Sequence, residues 1–252
     1  MKYKVLAVFL AMFLLLPMFA WSKTIIDEIK SRGELVVGSD AAYPPFEFVD
    51  AKGNIVGIDV DIAQEIANSL GVKLRVVNTS FDGIIPALLS KKFDIIMSAM
   101  TITSERAKQV DFSIPYYNAG QLITVREDDN RIKSEKDLQG KIVAVQLGTT
   151  GQFYAESLPG IKEIRKFDTV DGAFLELKNG RVDAVIADDL TSLAFVKNTK
   201  GLKTINKLLT KEQYGVAVRK EDKALLRQVN IVIARLKKEG FIEKLREKWS
   251  TW

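Results

Sequence analysis

The 252-residue sequence contains no cysteine and no histidine. Without cysteine the chain can form no disulfide, no thiol nucleophile and no lipid-modified cysteine. Without histidine it lacks the commonest general base and the commonest transition-metal ligand. The fingerprints G-x-x-x-x-G-K-[ST], G-x-G-x-x-G and G-x-S-x-G are missing as well. We therefore expect a protein that uses neither a metal nor a cofactor.

A strong excess of one charge is also lacking. The formal net charge is +5, from 37 basic and 32 acidic residues. Bases and acids are interspersed, which argues against a nucleic-acid partner. Hydrophobic residues make up 47% and charged residues 27% of the chain, as in a soluble globular protein. The length suits one large domain or two small ones.

One long apolar run stands at the N-terminus. Lys2 and Lys4 precede an uncharged segment at 5–22, which is typical of a secretory signal peptide covering residues 1–22. The alternative is an uncleaved membrane anchor, for which the run is short. We expect an exported, periplasmic protein without a lipid anchor. Removal of the two lysines leaves a net charge of 5 − 2 = +3.

Strand and helix patterns alternate from Leu35 onward, which predicts an α/β fold. Helices are predicted at 58–70, where apolar residues share one face, and at 81–91, and the segment 223–249 is strongly helical and amphipathic. A short pattern also repeats. The segment that begins at 81 has an Asp-Gly pair, then a predicted helix, and then an aspartate followed by an apolar strand. The same order recurs 89 residues later, in the segment that begins at 170. The repeat indicates two lobes of similar plan.

Several motifs, taken together and in order, resemble the polar amino-acid-binding proteins of bacterial ABC importers, a group with glutamine, histidine and arginine binders. The motifs cover essentially the whole mature chain. They are VGSDAAYPPFEF at 37–48, VGIDVDIA at 56–63, TITSER at 101–106, DFS at 111–113 with YY at 116–117, GTTG at 148–151, GRVDA at 180–184 and QYG at 213–215.

This resemblance implies a two-lobed periplasmic-binding-protein fold of type II, in which each lobe is a mixed sheet flanked by helices. The first lobe would be discontinuous, and two hinge strands would join it to the second. Ligand would bind in the cleft and close the lobes by a hinge motion. The implied ranges are 24–115 plus 215–252 for lobe 1, 116–120 and 210–214 for the hinge strands, and 121–209 for lobe 2.

A free amino acid carries a carboxylate and an ammonium group on one carbon, so its receptor needs a cation and an anion. The resemblance assigns the carboxylate to Arg106, whose planar fork suits two oxygens. Without it, Arg106 would be a surface arginine. Thr149 and Thr150 stand at a predicted helix start, where backbone N–H groups favour an anion. They could equally be a plain helix cap.

The ammonium group is assigned to Asp188, which follows a predicted strand at 182–186. Strand carboxyl ends line crevices in α/β sheets. Asp189 is the better candidate for a helix cap. Ser98 and Thr101 follow the corresponding strand in the first lobe. The expected roles are a backbone carbonyl toward the ammonium for Ser98 and a hydroxyl toward the carboxylate for Thr101.

The ligand side chain is expected between the rings of Tyr43 and Phe81, which would suit a planar guanidinium. Each ring alone would more often be a core residue. Asp40 is expected at the far end of the side chain, with Gln146 as a neutral partner. An acid there favours lysine, ornithine or arginine, although glutamine binders also carry it. The segment 144–151 most resembles arginine binders.

We therefore predict an extracytoplasmic protein that captures arginine or another basic amino acid and delivers it to the membrane permease of an ABC importer. We expect a monomer and no enzymatic activity. The alternatives are a glutamine or other polar amino-acid binder, a dehydratase of prephenate-like acids on the same scaffold, and the sensor domain of a receptor. A dehydratase needs a general acid, for which Asp188 and Glu47 are the candidates.

Overall fold

The computed structural model of the chain describes residues 23–205 and 207–250. The predicted signal peptide, residues 1–22, lies outside the described residues. Within these ranges we find no helix with the length and hydrophobicity of a membrane span. The α-helices there are α1 (Ile25–Arg32), α2 (Ile58–Leu70), α3 (Ile84–Leu89), α4 (Ser104–Ala107), α5 (Thr150–Ser157), α6 (Val170–Lys178), α7 (Asp189–Asn198), α8 (Lys223–Lys238) and α9 (Phe241–Trp249).

The strands form two five-stranded sheets and two smaller ones. Their bounds are β1 (Glu34–Ser39), β2 (Ala42–Tyr43), β3 (Glu47–Val49), β4 (Ile55–Val56), β5 (Lys73–Asn78), β6 (Ile95–Ile96), β7 (Asp111–Phe112), β8 (Tyr117–Ala119), β9 (Gln121–Arg126), β10 (Ile142–Gln146), β11 (Glu163–Phe167), β12 (Ala184–Asp188), β13 (Leu202–Ile205), β14 (Glu212–Tyr214) and β15 (Ala217–Val218).

The two larger sheets share one plan. The first has the order β5-β1-β6-β15-β7, and the second has the order β11-β10-β12-β9-β13. In each sheet the first three strands are parallel, whereas the fourth is antiparallel to both of its neighbours. The predicted α/β architecture of two mixed sheets flanked by helices is therefore present. The Asp-Gly repeat falls at equivalent places, before β6 and before β12.

Two strands outside these sheets connect them. β8 runs from the first sheet to the second, β14 runs back, and the two pair antiparallel with Tyr117 opposite Tyr214. These two strands coincide with most of the predicted hinge segments, 116–120 and 210–214, and a rotation of the sheets about them stays a prediction.

Helix α2 has the bounds that the sequence predicts. Its apolar residues recur on one face, and that face packs into the core. Ile58, Ile62 and Ile66 are fully buried in the main hydrophobic core. Helices that cover such a parallel sheet keep both of its faces out of water, which explains why β1 is buried over nearly its whole length.

The structure refines or corrects three predicted elements. The C-terminal helix is not continuous, because Gly240 adopts a left-handed conformation with φ 64° and separates α8 from α9. The helix predicted at 81–91 is a 3₁₀ turn at 81–83 followed by the short α3. The strand predicted at 182–186 is β12, two residues later, so Asp188 is the last residue of the strand.

Candidate functional site

The candidate site lies where the carboxyl ends of four parallel strands face each other across the cleft. Asp40 follows β1 and Ser98 lies just beyond β6, while Gln146 ends β10 and Asp188 ends β12. Parallel strands place such end residues at the same edge of a sheet, where open α/β sheets bind ligands. Two sheets with their carboxyl edges facing each other therefore bring polar side chains from both halves together.

All ten residues predicted for the site line one cavity. It is narrow, with about 10 Å³ accessible to the centre of a water molecule, or roughly one water. The cavity is too small in this structure to contain an amino acid. The lining residues are Asp40, Tyr43, Phe81, Ser98, Thr101, Arg106, Gln146, Thr149, Thr150 and Asp188, together with Glu47 and Ala99.

Arg106 reaches across the cleft from the short helix α4. Its side chain is buried and donates one hydrogen bond to the Thr101 carbonyl oxygen at 2.7 Å and another to the Gly148 carbonyl oxygen at 3.0 Å. The Phe81 ring lies below the guanidinium, 5.1 Å from centroid to Cζ. A guanidinium has five N–H donors, so these two contacts leave donors for a ligand carboxylate.

The two walls of the cleft meet closely beside Arg106. Gly148 has φ 79°, and a Cβ atom there would lie 3.0 Å from Asp82 Cα on the opposite wall. A larger residue would therefore strain the backbone and push the walls apart.

Helix α5 points its start at the cavity. The Thr149 hydroxyl accepts from the Gln152 N–H at 3.2 Å and donates to the Gln146 carbonyl at 2.8 Å. The Thr149 side chain is thus engaged as a helix cap. What the helix offers an anion is its first backbone N–H groups, which have no carbonyl partner within the helix.

Asp188 is buried and receives three hydrogen bonds. The Tyr43 hydroxyl donates at 2.8 Å, the Tyr214 hydroxyl donates at 2.5 Å, and the Gln121 amide also donates. Burial, followed by the negative charge of Glu212, raises the pKa of Asp188 to about 7 despite these donors. A ligand ammonium would offset both effects and restore the ionised form.

Asp40 forms a second acidic end of the cavity. The Gln146 amide donates to it at 2.5 Å across the cleft. Burial, together with the charges of Asp171 and Asp82, raises the pKa of Asp40 to about 6. Those two aspartates are the acids of the repeated Asp-Gly pairs, so the repeat concentrates negative charge at this end.

The aromatic pair is present but has partners within the protein. Tyr43 contacts Asp188 through its hydroxyl, and Phe81 contacts Arg106 through its ring face. The proposed stacking of both rings on a ligand side chain stays a prediction. Ser98 is also engaged, because its hydroxyl accepts from the Asp40 N–H at 2.9 Å and donates to Glu47 at 2.9 Å.

Sequence reasoning missed three residues that contact the predicted site. Gln121 and Tyr214 bind Asp188, and Glu212 accepts hydrogen bonds from Thr101 and Thr150. Tyr214 belongs to the QYG motif, which could have indicated it. No sequence motif indicated Gln121 or Glu212. Gln121 begins β9 and Glu212 begins β14, and both come close to the site only because the chain crosses between the two sheets there.

A buried pair of carboxyl groups supports the floor of the site. Glu47 and Asp59 are both fully buried, and they lie close enough for the charge of Asp59 to act on Glu47. Asp59 also accepts from the Ala99 N–H at 2.7 Å and the Tyr116 hydroxyl at 2.8 Å. Burial, followed by the charge of Asp59, raises the pKa of Glu47 well above its usual range, and burial raises the pKa of Asp59 to about 7.

Raised carboxyl pKa values mean that the folded protein binds more protons than the unfolded chain, so stability falls as pH rises from about 4 through about 7. Glu47→Gln removes one titrating group and keeps an N–H that can donate to Asp59. We expect the melting temperature of the ligand-free variant to fall less between pH 5 and 9 than that of the wild type, by at least about 2 °C. Thermal unfolding followed by circular dichroism measures this difference.

Some pH dependence should remain in this variant, because burial also raises the pKa of Asp59 to about 7 and that of nearby Asp40 to about 6. The Tyr43 and Tyr116 hydroxyls also face these acids, but their pKa values are raised well above the usual range, so they stay neutral over this pH interval. Glu105→Gln is the control, since Glu105 is exposed and pairs only with nearby Lys108 at the surface among the described residues. Equal pH slopes in Glu47→Gln and wild type would show that the pair does not hold the excess proton.

Among the described residues, no group of three or more acidic side chains is placed to hold a metal ion. The arrangement instead offers one buried guanidinium and a helix start to an anion, with carboxyl groups around them. It can hold a small ligand that carries both charges.

Related sequences and structures are found among known proteins. The profile of the family described as bacterial extracellular solute-binding proteins, family 3, matches residues 35–251. The L-cystine-binding protein TcyJ of Escherichia coli K12 is 36% identical over 228 residues, which cover 89% of this chain and 85% of that protein. ABC transporter arginine-binding protein 1 of the same organism is 36% identical over 218 residues, covering 84% and 88%.

A solved structure is similar over most of the described chain. It is the arginine-bound form of truncated ArgBP from T. maritima, with 56% sequence identity and a TM-score of 0.81. The match covers 83% of this chain and 99% of that one.

Proposed function

Because the chain belongs to family 3 of the bacterial extracellular solute-binding proteins, we propose that it captures a free basic amino acid, arginine in particular, and delivers it to an ABC importer. The fold is the two-lobed type II fold of periplasmic binding proteins. The ligand would lie in the cleft between the two large sheets. The permease of the importer is the proposed partner, and the protein is proposed to act as a monomer.

The observation that carries the proposal is the charge distribution in the cavity. Arg106 is the one cation among the lining residues, whereas Asp40, Glu47 and Asp188 are acids. Arg106 and the start of α5 would hold the ligand carboxylate, and Asp188 would hold the ammonium. A further positive charge on the ligand side chain would then be stabilised by Asp40. A neutral side chain would leave Asp40 without a cation.

We propose that the two halves move as lobes, 24–115 with 215–252 and 121–209, about hinge strands at 116–120 and 210–214. Several contacts cross the cleft, including Tyr43 to Asp188, Gln146 to Asp40 and Arg106 to Gly148. A ligand that touches both walls would favour the closed form, because only that form satisfies all of its contacts.

The protein is proposed to work outside the cytoplasm after removal of residues 1–22, without a lipid anchor because it has no cysteine. Its family and the relatives compared are transport proteins. We propose that it has no dehydratase activity. Of the two candidate general acids, Asp188 is held by three donors, and Glu47 lies beneath Ser98 in contact with Asp59. Incubation with prephenate should leave the substrate unchanged.

Isothermal titration calorimetry tests the ligand class. We expect arginine to bind at least about tenfold more tightly than glutamine or cystine, because Asp40 needs a cation and a second amino-acid end would need a second carboxylate site. Asp40→Asn keeps a partner for Gln146 but loses the charge, so it should weaken arginine binding more than glutamine binding. Equal or tighter binding of glutamine to the wild type would overturn the basic-amino-acid assignment and leave the family intact.

A further inference from the structure

Glu212 lies on β14, one of the two strands that join the sheets. Its Oε2 accepts a hydrogen bond from the Thr101 hydroxyl at 2.8 Å and from the Thr150 hydroxyl at 2.7 Å. Its Oε1 accepts from the Thr210 hydroxyl at 2.7 Å. Thr101 belongs to the wall of the first sheet, and Thr150 begins α5 on the wall of the second. One carboxylate on the hinge therefore contacts both walls of the cleft.

The direction of these hydrogen bonds decides what the two threonines can offer. A hydroxyl has a single hydrogen, and both Thr101 and Thr150 donate theirs to Glu212. Both residues also line the cavity. The sides of their oxygens that face the cavity therefore carry lone pairs. Lone pairs can accept from an ammonium group, which has only donors, but can do nothing for a carboxylate, which has only acceptors.

Glu212 itself is not one of the residues that line the cavity. It lies behind the two hydroxyls, so a ligand can bind in front of them without displacing it. Its charge nevertheless acts on the cavity, because among the charged groups it contributes most to the raised pKa of Asp188. Gln121 completes this wall by donating to Thr150 Oγ1 at 3.2 Å and to Asp188.

We propose that Glu212 is a positioning residue that orients the Thr101 and Thr150 hydroxyls as acceptors and so directs the ligand's α-ammonium group to this wall. The ligand carboxylate is left to Arg106 and to the backbone N–H groups at the start of α5. This assignment changes the expectation from the sequence, in which the Thr101 hydroxyl donates to the carboxylate. It rests on the proposed function only in requiring an α-amino acid as ligand.

The test combines variants with ligands that lack one group. Arginine is compared by calorimetry with 5-guanidinopentanoate, which lacks the ammonium, and with agmatine, which lacks the carboxylate. In Glu212→Met, which has a similar length but no acceptor, the hydroxyls can turn toward the cavity. In the wild type, arginine should bind more tightly than either analogue. In Glu212→Met, we expect the ratio of the arginine affinity to the 5-guanidinopentanoate affinity to be at least about tenfold smaller than in the wild type. The ratio of the arginine affinity to the agmatine affinity should not decrease.

Glu212→Gln should retain most of the wild-type discrimination, because its amide oxygen can still accept from both hydroxyls. Gln213→Ala is the matched control, since Gln213 lies next to Glu212 on β14 but is exposed and contacts Asn118. All its affinities should stay within about twofold of wild type. If Glu212→Met does not fold, Thr101→Val supplies the same test, because it removes an acceptor directly and should also shrink the ammonium factor.

A purely structural role for Glu212 would weaken all three ligands by the same factor, and that result would overturn the proposal. If the wild type binds an amino acid other than arginine, the same comparison is made with that amino acid and its deaminated form. In that case the assignment of arginine as the ligand is wrong, but the comparison still tests whether Glu212 positions the two hydroxyls. Failure to bind any α-amino acid would overturn both.

Discussion

Replacing Arg106 with alanine should weaken arginine binding by about 3–5 kcal/mol, or roughly 10²- to 10⁴-fold. A hydrogen bond between charged groups contributes about 1.5–3 kcal/mol, and a bidentate contact contains two. Arg106 is placed for this contact because it is 8% exposed, held by two carbonyl oxygens and supported by the Phe81 ring. Arg106→Lys keeps the charge but loses the planar fork, so it should still cost at least about tenfold.

Agmatine gives an independent measurement of the same contact. Agmatine lacks the carboxylate, so the wild type should bind it very weakly. The Arg106→Ala substitution should weaken agmatine binding far less than it weakens arginine binding. Small-angle scattering should show compaction of the wild type with arginine and no compaction with agmatine. The reason is that the carboxylate joins Arg106 on one wall to the start of α5 on the other.

Arg126 offers a matched control for the loss of an arginine. Its guanidinium also donates to two carbonyl oxygens, of Leu177 at 3.2 Å and Val182 at 2.6 Å, but it lies away from the cavity. Arg126→Ala should lower the melting temperature and leave arginine affinity unchanged.

Agmatine that binds like arginine and closes the lobes would show that the carboxylate contact is wrongly assigned.

Replacing Asp188 with asparagine should weaken arginine binding by a similar amount, about 3–5 kcal/mol, because the buried ammonium loses its anion. Asparagine preserves the surrounding hydrogen bonds better than alanine. Its amide oxygen can accept from Tyr43 and Tyr214, and the Gln121 Oε1, which lacks a partner among the described atoms, can accept from its amide N–H. We expect the melting temperature of the ligand-free variant to be unchanged or higher, since a desolvated carboxylate is gone.

The same residue should make binding depend on pH. Below about 7, the pKa of Asp188, the ligand-free protein carries a proton that the ammonium group must displace. Arginine affinity should therefore fall as pH falls from about 7 to 5, by up to about tenfold per unit. Asp188→Asn should show a shallower slope, with a remainder from Asp40, whose pKa is about 6.

Asp189→Asn is the control for this variant, because Asp189 is the adjacent acid at the start of α7 and does not line the cavity. Above about pH 7 its arginine affinity should match the wild type. Because the charge of Asp189 raises the pKa of Asp188, the fall in affinity should begin at a slightly lower pH in this variant but have the same slope. Binding by Asp188→Asn within about threefold of wild type would mean that another group holds the ammonium.

The sequence alone predicted the α/β architecture, the bounds of α2 and ten of the twelve residues that line the cavity. The period of apolar residues placed α2 at its observed bounds, and the ordered motifs identified the family. Because carboxyl ends of parallel strands share an edge, residues at the ends of predicted strands could be expected to meet. All ten predicted residues do line one cavity. Errors remained at element ends, as at Gly240 and Asp188, where local patterns change little over two residues.

Only the tertiary structure decided which groups pair within that cavity and in which direction their hydrogens point. Gln121 meets Asp188 across 67 residues of sequence, and Thr101 meets Glu212 across 111. Such partners depend on how two strands cross between the sheets, which no local period encodes. The raised pKa values of Asp40 and Asp188 have the same origin. Burial comes from the closing of one wall on another, and desolvation is a property of the assembled site.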